Sequence, residues 1–247
     1  MSKLLAVQLY SVRDALAEDY DGTIRRIAAM GYNGVETAGM YGEAPQVAAR
    51  LYKSLNLQVP SMHVPLPLGN DKNRVLDAAA AFDCRTIVCA YLPPEEFQTV
   101  DQIRANCDRL NEASAVAQEN GLRLAYHNHS WEYQNINGHY GYQVMAEYLA
   151  PEVVFEIDTY WVKTAGLDPV AVLNELGSRV PLLHIKDGPA TLEDPMVAVG
   201  QGVMDVPSII DAGKSANWLV VELDRCATDM LTAIDESSTY LKGLLAE

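Results

Sequence analysis

A rhythm of short apolar runs constrains the fold of this 247-residue chain more than any other feature. The runs are LLAVQLY (4–10), GVETA (34–38), QVPSMHV (58–64), RTIVCAY (85–91), RLAYHNH (123–129), VVFEID (153–158), PLLHIKD (181–187) and WLVVELD (218–224). They return at intervals of roughly 25–37 residues, which suits a strand, a helix and two loops. Most are rich in Val, Ile and Leu with little alternation, as strands covered on both faces are. Helical patterns fill the intervals. Residues 23–30 are apolar at Ile24, Ile27 and Ala28 and stop at Gly31; residues 100–120 carry Ile103, Leu110, Ala113 and Ala117 and stop at Gly121. Both glycines stand where a helix C-cap favours a left-handed residue. Pro169 and Pro207 open two further helices, a helix beginning around 71–77 carries residues 78–82, and residues 229–245 form an amphipathic last one. Eight strands alternating with helices, with no linker and no low-complexity segment, predict one closed parallel barrel over residues 1–247. The competing open doubly wound sheet usually has a glycine-rich turn after its first strand, and here QLYSVRD follows instead.

Composition narrows the function. An apolar fraction of 49% is enough for a sizeable core. Eighteen Lys plus Arg against 33 Asp plus Glu give a net charge of −15, which repels nucleic acid and anionic membrane. The four cysteines, Cys84, Cys89, Cys107 and Cys226, make no Cys-x-x-Cys pair and read as free thiols in a reducing compartment. The start MSKLLAVQLYSV reads as a first strand rather than a secretion signal, and no apolar stretch reaches bilayer length. A soluble cytoplasmic protein is expected.

A parallel barrel carries its chemistry at the C-terminal ends of its strands. Those ends supply Gln8, Glu36, His63, His127, His129, Glu156, Asp158, His184, Lys186, Asp187, Glu222 and Asp224. Burying such groups unpaired costs several kcal/mol each, and a divalent cation is one way to neutralise them. Carboxylate oxygen with imidazole nitrogen suits Zn, Mn or Co. Side chains two apart on a strand share a face, so only one of each pair reaches the mouth; Asp158, His184 and Glu222 are taken as those positions. The stretch LAYHNHSWEY (124–133) is the most unusual, placing two of the chain's five histidines two residues apart with Glu132 close behind. Each group also has a plainer reading: a strand-end Asp as a helix cap, a His as a hydrogen-bonded core residue, Tyr160–Trp161 as packing, Lys186 as the partner of a carboxylate.

The runs YHNHSWEY, FEIDTYWVKTAG, PLLHIKD, VGQGVMD and LVVELD resemble the sugar phosphate isomerase/epimerase family, the xylose isomerase-like TIM barrels. The resemblance covers nearly the whole chain and implies a single (β/α)8 TIM barrel. It also implies a divalent metal (Mn, Zn, Co or Mg) held by residues of strands five to eight: His127, Asp158, His184 and Glu222. The chain departs from the family at strand five, where many members have a Glu and this sequence has His127. Either His127 replaces that ligand or Glu132 reaches back to the metal. The implied activity is isomerisation or epimerisation of a non-phosphorylated sugar, keto sugar or cyclitol through an enediolate. Glu222, Glu132 and His129 are the acid/base candidates, and Gln8, Glu36, His63, Trp161 and Lys186 the substrate contacts. Beta-elimination on a keto sugar or an inosose-type substrate is the alternative within the same site. A non-catalytic sugar-binding barrel and an endonuclease IV-like enzyme are the readings outside it; five histidines and a charge of −15 speak against the latter. The partner is then a small carbohydrate, not nucleic acid or membrane, and a homo-oligomer stays open. Gly200–Gln201–Gly202 reads as a bend after strand seven rather than a phosphate nest.

Overall fold

The computed structural model describes residues 3–39 and 43–246. Among them, ten strands form: β1 (Leu4–Gln8), β2 (Gly34–Ala38), β3 (Met62–His63), β4 (Thr86–Cys89), β5 (Arg123–His127), β6 (Asn135–Ile136), β7 (His139–Tyr140), β8 (Val154–Asp158), β9 (Leu182–Ile185) and β10 (Trp218–Val221). Eight of them close a parallel barrel in the order β1-β10-β9-β8-β5-β4-β3-β2. Each predicted apolar run supplies one barrel strand. β3 is shorter than its run, because Pro60 has no N–H for the ladder; Gln58 contributes only a bridge to Gly34. β6 and β7 form a small antiparallel hairpin after β5, turned by Asn137 and Gly138, both at positive φ.

The helices are α1 (Arg13–Glu18), α2 (Tyr20–Ala29), α3 (Pro45–Ser54), α4 (Lys72–Phe82), α5 (Val100–Glu119), α6 (Gly141–Tyr148), α7 (Thr159–Thr164), α8 (Pro169–Leu176), α9 (Val206–Ala212) and α10 (Met230–Ala246). Gly31 and Gly121 follow α2 and α5 at φ of 79° and 70°, the left-handed stops their positions predict. α1, α3, α6 and α7 escape the periodicity reading. α1 and α7 have six residues and α6 has eight, too short for a clear 3.6-residue signal.

Two apolar compartments hold the fold. The larger lies between strands and helices. The smaller, Val88, Ala125 and Val154, packs together on β4, β5 and β8. Two residues further along two of these strands stand His127 and Glu156, which the register pairs across β5 and β8. With a period of two, these side chains enter the barrel on the same side as that plug. The barrel is therefore apolar at one level and ionisable at the next.

Candidate active site

YHNHSWEY folds back on itself. Asn128 clasps the backbone of Asp158 with both ends of its amide, at 2.9 Å to the N–H and 3.1 Å to the carbonyl. Its side chain thus continues the β5–β8 pairing where the strands end. That clamp holds His127 (3% exposed) beside Asp158 (0%). His129 stacks on Trp131 with ring centroids 4.4 Å apart. Glu132 is fully buried and accepts from the Tyr126 hydroxyl at 2.6 Å and the His129 N–H at 3.0 Å. Burial raises the Glu132 carboxyl to about 7 against those bonds. In this conformation Glu132 supports the loop rather than reaching the cluster around His127.

The polar barrel interior has two layers. In the inner one, Glu36 receives Gln8 Nε2 at 2.5 Å, the Ser61 hydroxyl and His184 Nε2 at 2.7 Å. Glu156 meets His63 Nε2 at 2.7 Å, and lies 3.2 Å from His184 Nε2 and 3.3 Å from His127 Nδ1. Burial alone would neutralise His63, but the Glu36 and Glu156 carboxylates outweigh it and push the imidazole up to about 10. His184 is raised for the same reason. Glu156 goes up, through burial and its nearness to Glu36.

In the outer layer Asp158 divides its carboxylate. Oδ1 caps α7, accepting from the N–H groups of Tyr160 and Trp161, while Oδ2 faces the site. The helix-cap reading of this residue accounts for one oxygen, and the other is left facing the Lys186 ammonium. Glu222 Oε2 lies 2.9 Å from His184 Nδ1. The Lys186 ammonium, 1% exposed, bridges Asp158, Glu222 and Asp224 at 2.9, 2.7 and 2.6 Å and lies 5.2 Å from the Trp161 ring centroid. Burial raises Asp158 to about 6 despite Lys186 and His184. Burial would raise Glu222 too, but Lys186 and His184 hold it well below the usual carboxylate range. His129 falls to about 3, first by burial and then by Lys186.

His127 and His184 stand between the layers. His184 turns Nε2 to Glu36 and Nδ1 to Glu222; His127 turns Nδ1 to Glu156 and Nε2 toward Asp158, 3.9 Å away. One nitrogen of each ring faces an inner carboxylate and the other the outer layer. Once its outer nitrogen is deprotonated, an imidazole anchored by a carboxylate on the other side is set to hold a metal. Ligand atoms of His127, Asp158, His184 and Glu222 lie within 4.8 Å of one another, as do those of His63, His127, Glu156 and His184. Glu156 Oε1 is buried without a hydrogen bond, His127 Nδ1 has only the 3.3 Å approach of Glu156, and Asp158 Oδ2 has only the Lys186 ammonium. A buried set of mixed nitrogen and oxygen donors drawn together this closely fits a divalent cation.

A cavity of about 440 Å³ opens above this cluster. His63, His127, His129, Glu222 and Asp224 line it, with the exposed Tyr10 and Tyr91 at its rim. Gln8 and Glu36 lie beneath and do not line it; Trp161 is stacked behind His129. The strand-end reading puts Glu156 and Asp158 on one face with Asp158 nearer the mouth; the structure gives Glu156 the deeper position, between His63, His127 and His184. The roles of Asn128 and Ser61 carried no signal, since each rests on a contact made by folding.

The loop after β9 settles what Gly200–Gln201–Gly202 does. The buried Asp187 carboxylate accepts four backbone N–H groups, from Gly188, Gly200, Gly202 and Met204, at 2.8–3.1 Å. These amides form an anion-binding turn, and the chain fills it with its own carboxylate.

A closed parallel barrel with imidazoles and carboxylates converging at one end defines the class of (β/α)8 barrels with an ionisable cluster at the strand ends. Within that class, the chain belongs to the xylose isomerase-like TIM barrel family, whose sequence model matches residues 24–244. No curated protein matches it. Among solved structures it is similar to a sugar phosphate isomerase/epimerase from Parabacteroides distasonis, at 22% identity and TM-score 0.84, covering 98% of this chain and 94% of that one. It is similar also to the probable 3-DHS dehydratase of petrobactin synthesis from Bacillus anthracis (13%, 0.76, covering 98% and 99%) and to an L-ribulose 3-epimerase (14%, 0.73, covering 99% and 95%). At these identities the likeness concerns the fold.

Proposed function

We propose that the protein is a metal-dependent isomerase or epimerase acting on a non-phosphorylated sugar, keto sugar or cyclitol through an enediolate. The observation that carries this reading is the convergence of His127, Asp158, His184 and Glu222, with each imidazole backed by an inner carboxylate. These four would hold a divalent cation, Mn, Zn, Co or Mg. When bound, it supplies Lewis-acid polarisation of a carbonyl and stabilises the negative charge that develops there. Glu222 lines the cavity and stays ionised, so it is suited to remove a proton from the carbon beside that carbonyl. His129, neutral and on the cavity wall, is the partner that exchanges a proton on another side. Glu132 acts through His129, whose backbone N–H it holds, and is a positioning residue. His63 meets the substrate from the floor; Gln8 and Glu36 hold His184 and His63 in place. The filled anion turn at Asp187 supports an unphosphorylated substrate, because those amides are already taken.

One feature supports the elimination chemistry as a second reading. The acid/base groups at the cavity are unlike, one carboxylate and one imidazole, with the Lys186 ammonium nearby, and such a set would serve loss of a hydroxyl from a keto sugar. The dehydratase among the similar structures is in keeping with it. Exchange of one carbon-bound hydrogen in heavy water is expected under both; an unsaturated product marks elimination and a sugar epimer the first reading. The test of the site is elemental analysis of the purified protein beside His127→Ala and Glu132→Ala. Metal is expected in wild type and Glu132→Ala and lost from His127→Ala. A wild type that binds none after loading with Mn or Zn would overturn the proposal.

A further inference from the structure

The Lys186 ammonium brings a positive charge to the place where a metal ion would sit. Two of its three carboxylate contacts, Asp158 Oδ2 at 2.9 Å and Glu222 Oε2 at 2.7 Å, belong to the proposed ligand set. The third, Asp224 Oδ2 at 2.6 Å, does not. Asp224 follows β10, its side chain is 27% exposed, and it borders the mouth cavity. An ion and the ammonium therefore draw on the same two oxygens, and like charges this close repel strongly in a buried site.

We propose that Lys186 is a built-in competitor of the metal and that Asp224 is its seat in the loaded site. Without an ion the ammonium neutralises Asp158 and Glu222 and prevents their repulsion from opening the mouth. Once an ion takes those oxygens, Asp224 remains as the carboxylate against which the ammonium rests. The affinity of the site is then set by a residue pair outside the ligand set. The inference rests on the metal-centre reading above.

The experiment is calorimetric titration of chelator-treated protein with MnCl2, for wild type, Lys186→Gln, Asp224→Asn and the double variant. Removing the competitor is expected to tighten Mn binding at least tenfold. Removing its seat is expected to weaken binding at least threefold, although Asp224 is no ligand. In the Lys186→Gln background the Asp224→Asn change is expected to lose most of that effect, because no displaced ammonium needs a seat. Equal or weaker binding by Lys186→Gln overturns the proposal, and so does an Asp224→Asn effect of the same size in both backgrounds. If Lys186→Gln does not fold, Asp224→Asn alone decides: weaker binding supports the proposal, and affinity equal to wild type overturns it. No Mn bound by any folded protein in the set overturns the metal centre itself, and this inference with it.

Discussion

Asp158 shows how much a single side chain does at the mouth. One oxygen caps α7 and the other meets Lys186 at the site. Asp158→Asn should keep the cap, because the amide oxygen still accepts, while removing the charge. Bound metal, measured by elemental analysis, should fall sharply with little change in Tm. Asp158→Ala should in addition cost about 1 kcal/mol for the lost cap. Full metal occupancy in Asp158→Asn, or in a folded His184→Ala, would refute the ligand assignment. Glu132 gives a pH prediction. Its carboxyl titrates at about 7 in the fold against an ordinary 4.5. Between those values the folded state holds a proton that the unfolded state has lost. Stability from this group is therefore greatest below pH 4.5, falls as pH rises to about 7, and is level above. The loss is on the order of 3 kcal/mol. Glu132→Gln should flatten this part of the profile, read from urea midpoints at pH 5 and pH 8; parallel profiles would show that Glu132 does not carry it.

At the scale of elements, the loop between β9 and α9 is tied by one residue. Asp187 collects four N–H groups that would otherwise be buried without partners. Asp187→Ala should destabilise the protein by at least about 3 kcal/mol, since bonds to a charged acceptor are worth more than neutral ones. Gly202→Ala should also be costly, because a Cβ there would stand 2.1 Å from Asp187 Oδ1 and 2.2 Å from the Gly188 nitrogen. Loss of cooperativity or a lowered urea midpoint in both would bear this out; wild-type midpoints would mean that the loop has another anchor. The glycine doublet was visible as a bend in the sequence. Its function as the cradle of a carboxylate 13 and 15 residues earlier was not.

For the molecule as a whole, a bound cation should act on stability. At a free concentration of about 100 times Kd it adds about 2.7 kcal/mol, provided the unfolded chain does not bind it. For a chain of this length that corresponds to a rise in Tm of roughly 5–10 °C. Chelator should reverse it, and an unchanged Tm with Mn or Zn would count against a built metal site. The net charge of −15 leads to a second expectation, that the protein is not retained on DNA even at low salt. No helix among the described residues is long and apolar enough to cross a membrane.

The barrel was legible in the sequence because its strands are covered on both faces, and such strands read as short apolar runs at even spacing. The polar strand ends were legible too, because a polar side chain breaks an apolar run, but their depth was not. Of Asp158, His184 and Glu222, taken as the mouth positions, only Glu222 lines the cavity, and Asp224, its neighbour on the same face, lines it as well. What the sequence left open, whether His127 or Glu132 turns toward the cluster, depended on where the loop after β5 goes. Folding decides that through contacts between distant residues. Asn128 grips Asp158, Tyr126 and the His129 amide hold Glu132 back, and His127 is left between Glu156 and Asp158. The electrostatics were likewise beyond a linear reading. Lys186 faces Asp158 and Asp224, and Glu36 faces His184 across 148 positions, only because closing the barrel brings those strands together. Apolar periodicity is local and is written residue by residue, whereas the charge and hydrogen-bond partners of a buried group exist only in three dimensions.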